Sequence, residues 1–324
     1  GRGWGGQIEL SLLSKCLQRP IHVYAPAEGD GFKLEHEFTP DQQAKESEPV
    51  RVVFSGSHYD ALLPTTASVQ TKKVTMQEDA SAGASAGKGP VSSSVLKSAY
   101  AQRKQKVGQC VDGYPMPTGD EHTATVIWLH GLGDSGFGWA SVSEQLDMPH
   151  VKFLFPTAPV LPVTLNMGME MPAWFDLTTL EPEAKDEDWQ GMQASAGYVV
   201  SLVEKEVERG TPLSRIVVAG FSQGGAIALT AGLCVSDLKV AGVIGLSTWL
   251  PLGARPAHKD VPLFMGHGEA DNVVLYRWGK ASFEALQKKG VDASFSSYPG
   301  MEHNFCLEEL QDVASFLRVT LPPT

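Results

Sequence analysis

Short apolar runs alternate with helix-like stretches along the C-terminal two-thirds of the chain. The runs lack polar alternation, which is typical of strands buried on both faces of a sheet. The predicted strands are Thr125–Leu129, Val151–Phe155, Arg215–Ala219, Val240–Leu246, Val261–Met265 and Ala293–Tyr298. The predicted helices are Gln190–Arg209, Gln223–Cys234, Tyr276–Lys289 and Leu307–Val319. Strands that alternate with helices predict an α/β domain with a mostly parallel sheet and helices on both faces.

The pattern is different before residue 116. Residues 1–65 have a mixed α+β character, and residues 66–115 include the small-residue stretch Ala80–Pro90 followed by Val91-Ser92-Ser93-Ser94. Small residues bury too little apolar surface to offset the entropy lost on ordering, so we predict a flexible linker over 66–115. The α/β domain is then expected to occupy residues 116–324.

Composition and charge exclude several classes of protein. A net charge of −11 argues against nucleic-acid binding, which needs clustered Lys and Arg. No apolar run reaches the roughly 18 residues of a membrane span, so we expect no stable membrane insertion. The four cysteines are scattered without a Cys-x-x-Cys pair, which favours a reducing, cytoplasmic location. The chain begins at Gly1 without Met, and we expect its true start to be missing.

The stretch Gly220-Phe221-Ser222-Gln223-Gly224 joins a predicted strand to a predicted helix. In a Gly-x-Ser-x-Gly turn the serine is presented on a strained bend, and the glycines remove side chains that would clash. A serine hydroxyl at neutral pH needs an adjacent base to act as a nucleophile. The motif alone is a weak signal, but between a strand and a helix it predicts a catalytic Ser222.

The acid and the base should follow Ser222, each on a loop after a later strand. Asp271 lies just beyond the strand ending at Met265, and His303 lies just beyond the strand ending at Tyr298. We predict His303 as the general base and Asp271 as the residue that orients it. Glu269 is the alternative acid and His267 the alternative base, although His267 is better placed to brace its loop.

Acyl transfer also needs hydrogen-bond donors for the developing oxyanion. One is expected to be the backbone N–H of Gln223, directly after the nucleophile. The loop His130-Gly131-Leu132-Gly133-Asp134 follows an early strand, and we predict the backbone N–H of Leu132 as the second donor. His130 is interpreted as structural. This chemistry requires no metal and no cofactor.

Together these motifs resemble the acyl-protein thioesterase and lysophospholipase family, also called carboxylesterase type 2. The matching stretches are Leu129-His130-Gly131-Leu132-Gly133-Asp134-Ser135-Gly136, Thr164-Leu165-Asn166-Met167, Met171-Pro172-Ala173-Trp174-Phe175-Asp176, Gly220-Phe221-Ser222-Gln223-Gly224-Gly225 and Trp249-Leu250-Pro251-Leu252. The resemblance covers about residues 120–322 and implies an α/β-hydrolase fold. It also implies hydrolysis of fatty-acyl thioesters or esters, with acylated proteins or lysophospholipids as substrates. The family usually has Pro where this chain has Asn272 and Leu275, so loop rigidity and substrate preference can differ here.

The stretch Val160–Leu180 is rich in Leu, Met and Trp, as a surface that binds an acyl chain would be. The candidate acyl-binding residues are Leu165, Met167, Trp174 and Trp249. Apolar loops also pack into protein cores, so both interpretations stay open at this point.

Residues 1–65 resemble the latter half of an OTU (ovarian tumour) deubiquitinase domain. The matching stretches are Trp4–Leu10, Pro20–Tyr24 and Ser57-His58-Tyr59-Asp60. The resemblance implies that His58 corresponds to the base of a cysteine protease, with Asp60 as a further candidate residue. The family's upstream Asp-Gly-x-Cys stretch does not occur here, and Cys16 lies in a helix-like pattern. The segment is therefore expected to be inactive. The alternatives are a parent protein that is a ubiquitin-directed cysteine protease, or a leftover ubiquitin-binding surface.

Overall fold

The computed structural model describes residues 21–26, 32–38, 50–54, 59–61, 89–103, 107–108, 110–112, 122–180 and 187–324. The chain divides into two compact units, Gly1–Ser81 and Ala82–Thr324. Each unit contains a sheet of its own.

The first unit contains a four-stranded sheet. Its strands are β1 (Ile21–Pro26), β2 (Phe32–Phe38), β3 (Val50–Phe54) and β4 (Tyr59–Ala61). Their spatial order is β2-β1-β3-β4, and β1 is antiparallel to β2 but parallel to β3. His58 and the side chain of Asp60 lie outside the described residues. The OTU-like interpretation of residues 1–65 therefore stays a prediction.

The second unit contains a seven-stranded sheet. Its strands are β5 (Cys110–Asp112), β6 (Ala124–Leu129), β7 (Val151–Pro156), β10 (Ile216–Phe221), β11 (Gly242–Leu246), β12 (Leu263–Gly268) and β13 (Ala293–Tyr298). Two further strands, β8 (Val160–Val163) and β9 (Met169–Pro172), form a separate antiparallel hairpin. The spatial order is β13-β12-β11-β10-β6-β7-β5. All neighbours are parallel except β5, which is antiparallel to β7. The predicted mostly parallel sheet is confirmed.

Helices cover both faces of this sheet, as predicted. They are α1 (Ser93–Gln102), α2 (Gly136–Trp139), α3 (Val142–Leu146), α4 (Trp189–Glu208), α5 (Gln223–Leu233), α6 (Tyr276–Lys288) and α7 (Leu307–Thr320). One buried cluster contains side chains of α1, α4, α5 and α6, and a second contains side chains of α2, α3 and α7. Along β10, Val218 belongs to the first cluster and Val217 to the second, because successive strand residues point to opposite faces. No helix in the described ranges is both long and apolar enough to cross a membrane.

Helix α1 corrects part of the sequence prediction, because it lies within the predicted linker 66–115. Its Leu96 is only 1% exposed and belongs to the main buried cluster. The backbone N–H of Ser93 donates to Asp237 Oδ1 at 2.8 Å. A buried side chain and long-range hydrogen bonds order residues 93–102, although their composition resembles that of a linker. The other predicted domain bounds stay predictions.

Candidate active site

Ser222 lies on the bend between β10 and α5, and its backbone is strained. Its φ of 52° and ψ of −121° place a non-glycine residue in a sparsely populated region. Two neighbours hold it there: the Ser222 N–H donates to Leu246 O at 2.8 Å, and Thr248 Oγ1 donates to Ser222 O at 2.7 Å. The bend presents the hydroxyl at the carboxyl end of the sheet, although the residue is only 7% exposed.

The flanking glycines make this bend possible. A Cβ on Gly220 would overlap the backbone of Gly224, and a Cβ on Gly224 would overlap the carbonyl groups of Leu129 and His130. The helix can therefore leave the strand this steeply only if both positions lack a side chain. This is the physical reason for the Gly-x-Ser-x-Gly spacing.

A continuous chain of hydrogen bonds links Ser222, His303 and Asp271. His303 Nε2 lies 3.0 Å from Ser222 Oγ, and His303 Nδ1 lies 2.7 Å from Asp271 Oδ2. The ring of His303 also contacts that of Phe221, with centroids 4.8 Å apart. A carboxylate only accepts, so Nδ1 carries a hydrogen and Nε2 is left to accept the serine proton. The arrangement suits proton transfer from Ser222 to His303.

The carboxylate of Asp271 is buried and ionised. Burial by itself would raise its pKa, but hydrogen bonds from His267 and His303 outweigh that effect and lower the pKa to about 2. The other carboxylate oxygen accepts from the backbone N–H groups of Val273 and Val274 at 2.9 and 3.0 Å. Asp271 therefore carries a fixed negative charge beside His303 over the whole physiological pH range.

The alternative acid and base occupy other positions. Glu269 is exposed. His267 is buried, and its Nε2 lies 2.7 Å from Val274 O and 3.3 Å from Asp271 Oδ2. His267 thus contacts the acid and its loop, while His303 contacts the serine.

The structural role predicted for His130 agrees with its contacts. Its Nε2 accepts from the backbone N–H of Ala158 at 2.9 Å, so Nδ1 carries the hydrogen and donates to Gly131 O at 2.6 Å. Burial lowers the pKa of His130 and favours the neutral ring. A neutral histidine thereby fixes the loop that precedes Leu132.

The two predicted oxyanion donors lie on segments that meet at Ser222. Gln223 is the first residue of α5, so its backbone N–H is one of those that the helix carbonyls leave unpaired. The loop of Leu132 passes close by, since a Cβ on Gly131 would stand 3.5 Å from Ser222 Cβ. The positive end of the dipole of α5 adds to the attraction for an anion here.

The side chain of Gln223 ties this corner to another segment of the chain. Its Oε1 accepts from the Trp174 N–H at 2.8 Å, and its Nε2 donates to Phe175 O at 2.9 Å. The indole Nε1 of Trp174 donates to His130 O at 2.9 Å. Trp174 therefore bridges the loop that carries Leu132 and the helix that begins at Gln223.

The four predicted acyl-binding residues do not form one exposed surface. Met167 is 95% exposed, and Leu165 is also exposed, on the segment that joins β8 to β9. Trp174 is 0% exposed, and its ring packs against His130 and Tyr198. It presents no surface to an acyl chain in this structure, which corrects the prediction for this residue. Trp249 is buried beside Phe175.

Two residues that support the site have weak or no signals in the sequence. Thr248 holds the carbonyl of Ser222, but it follows a strand without any recognisable motif. For His267 the predicted role was to brace its loop, and its contact with Asp271, four residues later, was not predicted. The contact depends on how the loop folds back over the strand end.

Comparison with known proteins identifies the family. The model of the family described as Phospholipase/Carboxylesterase matches residues 116–321. The chain belongs to this family. It is 43% identical over 223 residues to acyl-protein thioesterase 1 of Neurospora crassa, covering 64% of this chain and 91% of that protein. It is 44% identical over 225 residues to acyl-protein thioesterase 1 of Cryptococcus neoformans, covering 62% of this chain and 94% of that protein.

Solved structures that are similar to this chain agree with the fold. Acyl-protein thioesterase 2 of Zea mays superimposes with a TM-score of 0.58 at 35% identity and covers 66% of this chain and 99% of its own. SOBER1 of Arabidopsis thaliana gives a TM-score of 0.57 at 31% identity, and the match covers 61% of this chain and 99% of that one. As a phospholipase/carboxylesterase family member with an α/β-hydrolase fold, the chain is a serine hydrolase. These matches give no support to a ubiquitin-directed cysteine protease.

Proposed function

We propose that this chain hydrolyses fatty-acyl thioesters on protein cysteines through an acyl-enzyme on Ser222. The hydrogen-bonded chain from Asp271 through His303 to Ser222 carries the proposal. The relatives named acyl-protein thioesterase support this substrate class. Leu165 and Met167, on the segment that joins β8 to β9, are the two acyl-binding candidates that are exposed.

The reaction proceeds in two displacements. His303 Nε2 takes the proton of Ser222 Oγ as the oxygen bonds to the acyl carbonyl carbon. The backbone N–H groups of Leu132 and Gln223 stabilise the oxyanion, the C–S bond breaks, and His303 gives its proton to the departing thiolate. A water molecule then attacks the acyl-serine by the same route, which releases the fatty acid and restores the serine.

A cytoplasmic location suits this substrate. Cys234 and Cys306, the cysteines whose side chains are described, are free thiols. Thiols persist in reducing compartments, where palmitoylated cysteines on the cytoplasmic side of membranes are accessible to an enzyme of this kind.

The mechanism is tested by labelling the whole chain with a fluorophosphonate probe. Wild type should label and Ser222→Ala should not, while the control Ser135→Ala, whose hydroxyl caps no backbone N–H, should label like wild type. Equal labelling of Ser222→Ala would overturn the assignment.

The substrate class is tested by steady-state turnover of an S-palmitoylated peptide against palmitoyl lysophosphatidylcholine. We expect the higher kcat/KM on the peptide. A higher value on the lysophospholipid, with Ser222 still required, would replace the substrate class and keep the mechanism.

A further inference from the structure

Helix α1 precedes the part of the chain that the family model matches, which begins at residue 116. It nevertheless packs closely on α4, since a Cβ on Gly197 of α4 would overlap the backbone of Leu96. The rings of Tyr100 and Tyr198 lie 5.3 Å apart. Lys97 Nζ also lies 2.7 Å from Glu204 Oε1. The helix is therefore a packed part of the second unit.

Arg103 follows the last residue of α1 and reaches into the unit. Its Nη1 donates to Ser195 Oγ at 2.7 Å, and its Nη2 donates to Trp174 O at 2.7 Å. Ser195 Oγ donates to the same carbonyl. Burial lowers the pKa of Arg103, but a guanidinium stays charged at any physiological pH. The charged guanidinium of Arg103 and the hydroxyl of Ser195 thus both donate to the Trp174 carbonyl and fix its position.

Trp174 is the residue that joins both halves of the proposed oxyanion site. Its N–H is bound by the side chain of Gln223, and its indole is bound to His130 O on the loop of Leu132. The side-chain amide of Gln223 also holds Phe175 O. Trp174 is thus bonded to the side chain of one donor residue and to the carbonyl two residues before the other. Oxyanion donors must be aimed to within a fraction of an ångström, because their stabilisation falls steeply with misplacement.

We propose that Arg103 is a positioning residue for hydrolysis, which fixes Trp174 and through it the N–H groups of Leu132 and Gln223. The inference rests on the proposed function. Arg103 contacts neither the nucleophile nor the base, so it acts only through these intermediates. The oxyanion donors stabilise the transition state, so a substitution of Arg103 should change kcat rather than KM.

The test compares Arg103→Met, Arg103→Lys and the control Lys97→Met in the full chain. Lys97 is on the same helix, and its ion pair with Glu204 is on the half-exposed surface. With p-nitrophenyl octanoate as substrate, Arg103→Met should lower kcat about tenfold with KM within about twofold. Arg103→Lys should recover part of the loss, and Lys97→Met should match wild type. An unchanged kcat in Arg103→Met, or a change in KM alone, would overturn the proposal.

A second measurement separates this inference from the proposed function. Amide hydrogen exchange over residues 130–134 and 173–176 should speed up in Arg103→Met and not in Lys97→Met. Unchanged exchange contradicts the inference even if the wild type proves inactive on every acyl substrate. Inactive wild type with faster exchange in Arg103→Met would instead reject the proposed function and leave only a structural link from Arg103 through Trp174 to the loop of Leu132. A thermal unfolding midpoint near that of wild type shows that Arg103→Met folds.

Discussion

The imidazole of His267 lies 3.3 Å from Asp271 Oδ2, the same oxygen that His303 binds at 2.7 Å. Since Val274 O only accepts, His267 Nε2 carries the hydrogen that lies between that carbonyl and the carboxylate. The buried negative charge of Asp271 is therefore satisfied from two sides, and only one of them leads to the serine.

His267→Leu should destabilise the fold, because it removes a donor from a buried carboxylate. Hydrogen bonds to charged groups contribute roughly 1.5–3 kcal/mol, and we expect a loss of this order at pH 7 by urea unfolding. The pKa of Asp271 is depressed from 3.8 to about 2, so this stabilisation exists above pH 3.8 and is lost as the pH falls through about 2. The difference in unfolding free energy between wild type and His267→Leu should therefore shrink as the pH falls from 3.8 to about 2.

The conservative variant His267→Gln keeps an N–H donor and should lose less stability than His267→Leu. A deficit for His267→Leu that is constant from pH 7 to below pH 2 would show that only packing was lost.

Asp271→Asn should abolish most of the activity without unfolding the protein. An amide in place of the carboxylate no longer favours the hydrogen on His303 Nδ1. The ring can then carry its hydrogen on Nε2 instead, and that nitrogen cannot accept the proton of Ser222. A comparable substitution in serine proteases lowers kcat about 10⁴-fold, and we expect a loss of similar order here. Glu269→Gln, two residues away and exposed, is the matched control. Equal losses in both variants, measured as kcat, would contradict the assignment.

Much of the sheet and of the candidate site could be predicted, because both depend on local patterns. Buried parallel strands have continuous apolar runs, and the four long predicted helices end within one residue of the observed positions. Ser222, Asp271 and His303 could be placed because each follows a strand, and parallel strands bring their carboxyl ends to one edge.

The features that the sequence did not reveal depend on distant contacts. The bond from Arg103 to Trp174 O spans 71 residues, and neither residue belongs to a pattern that pairs them. Helix α1 buries only Leu96 along its length, so it has too little apolar periodicity to stand out from its small-residue surroundings. Trp174 looked like a ligand-binding residue because burial in a core and burial under a substrate favour the same side chains.

Gly224→Ala should impair folding, because its Cβ would overlap the carbonyl groups of Leu129 and His130. Overpacking of a rigid backbone contact costs on the order of 1–3 kcal/mol or more. We expect a lower thermal midpoint and weaker labelling by a fluorophosphonate. Gly89→Ala, where an added Cβ would meet no atom within 4 Å, is the control. A midpoint for Gly224→Ala equal to that of Gly89→Ala would mean that the helix can move away from the strand.

Glu309, in the first turn of α7, is 0% exposed, and neither of its carboxylate oxygens has a hydrogen-bond partner within the described part of the chain. Burial, together with the nearby charge of Asp312, raises the pKa of Glu309 from 4.5 to about 8. The folded state therefore holds the proton more tightly than the unfolded state does. Its contribution to stability is fully present below pH 4.5 and is lost as the pH rises through about 8.

The side chain of Glu309→Gln cannot ionise, so the stability of this variant should not fall as the pH rises through about 8. Relative to wild type, the variant should gain on the order of a few kcal/mol in unfolding free energy between pH 5 and pH 9, because each unit of pKa difference corresponds to about 1.4 kcal/mol. Urea unfolding at several pH values measures this directly. The exposed Glu308 is in the same helical turn, and Glu308→Gln should follow the wild-type curve. Parallel curves for wild type and Glu309→Gln would show that Glu309 ionises as readily in the folded chain as in the unfolded one, and that water reaches its carboxylate.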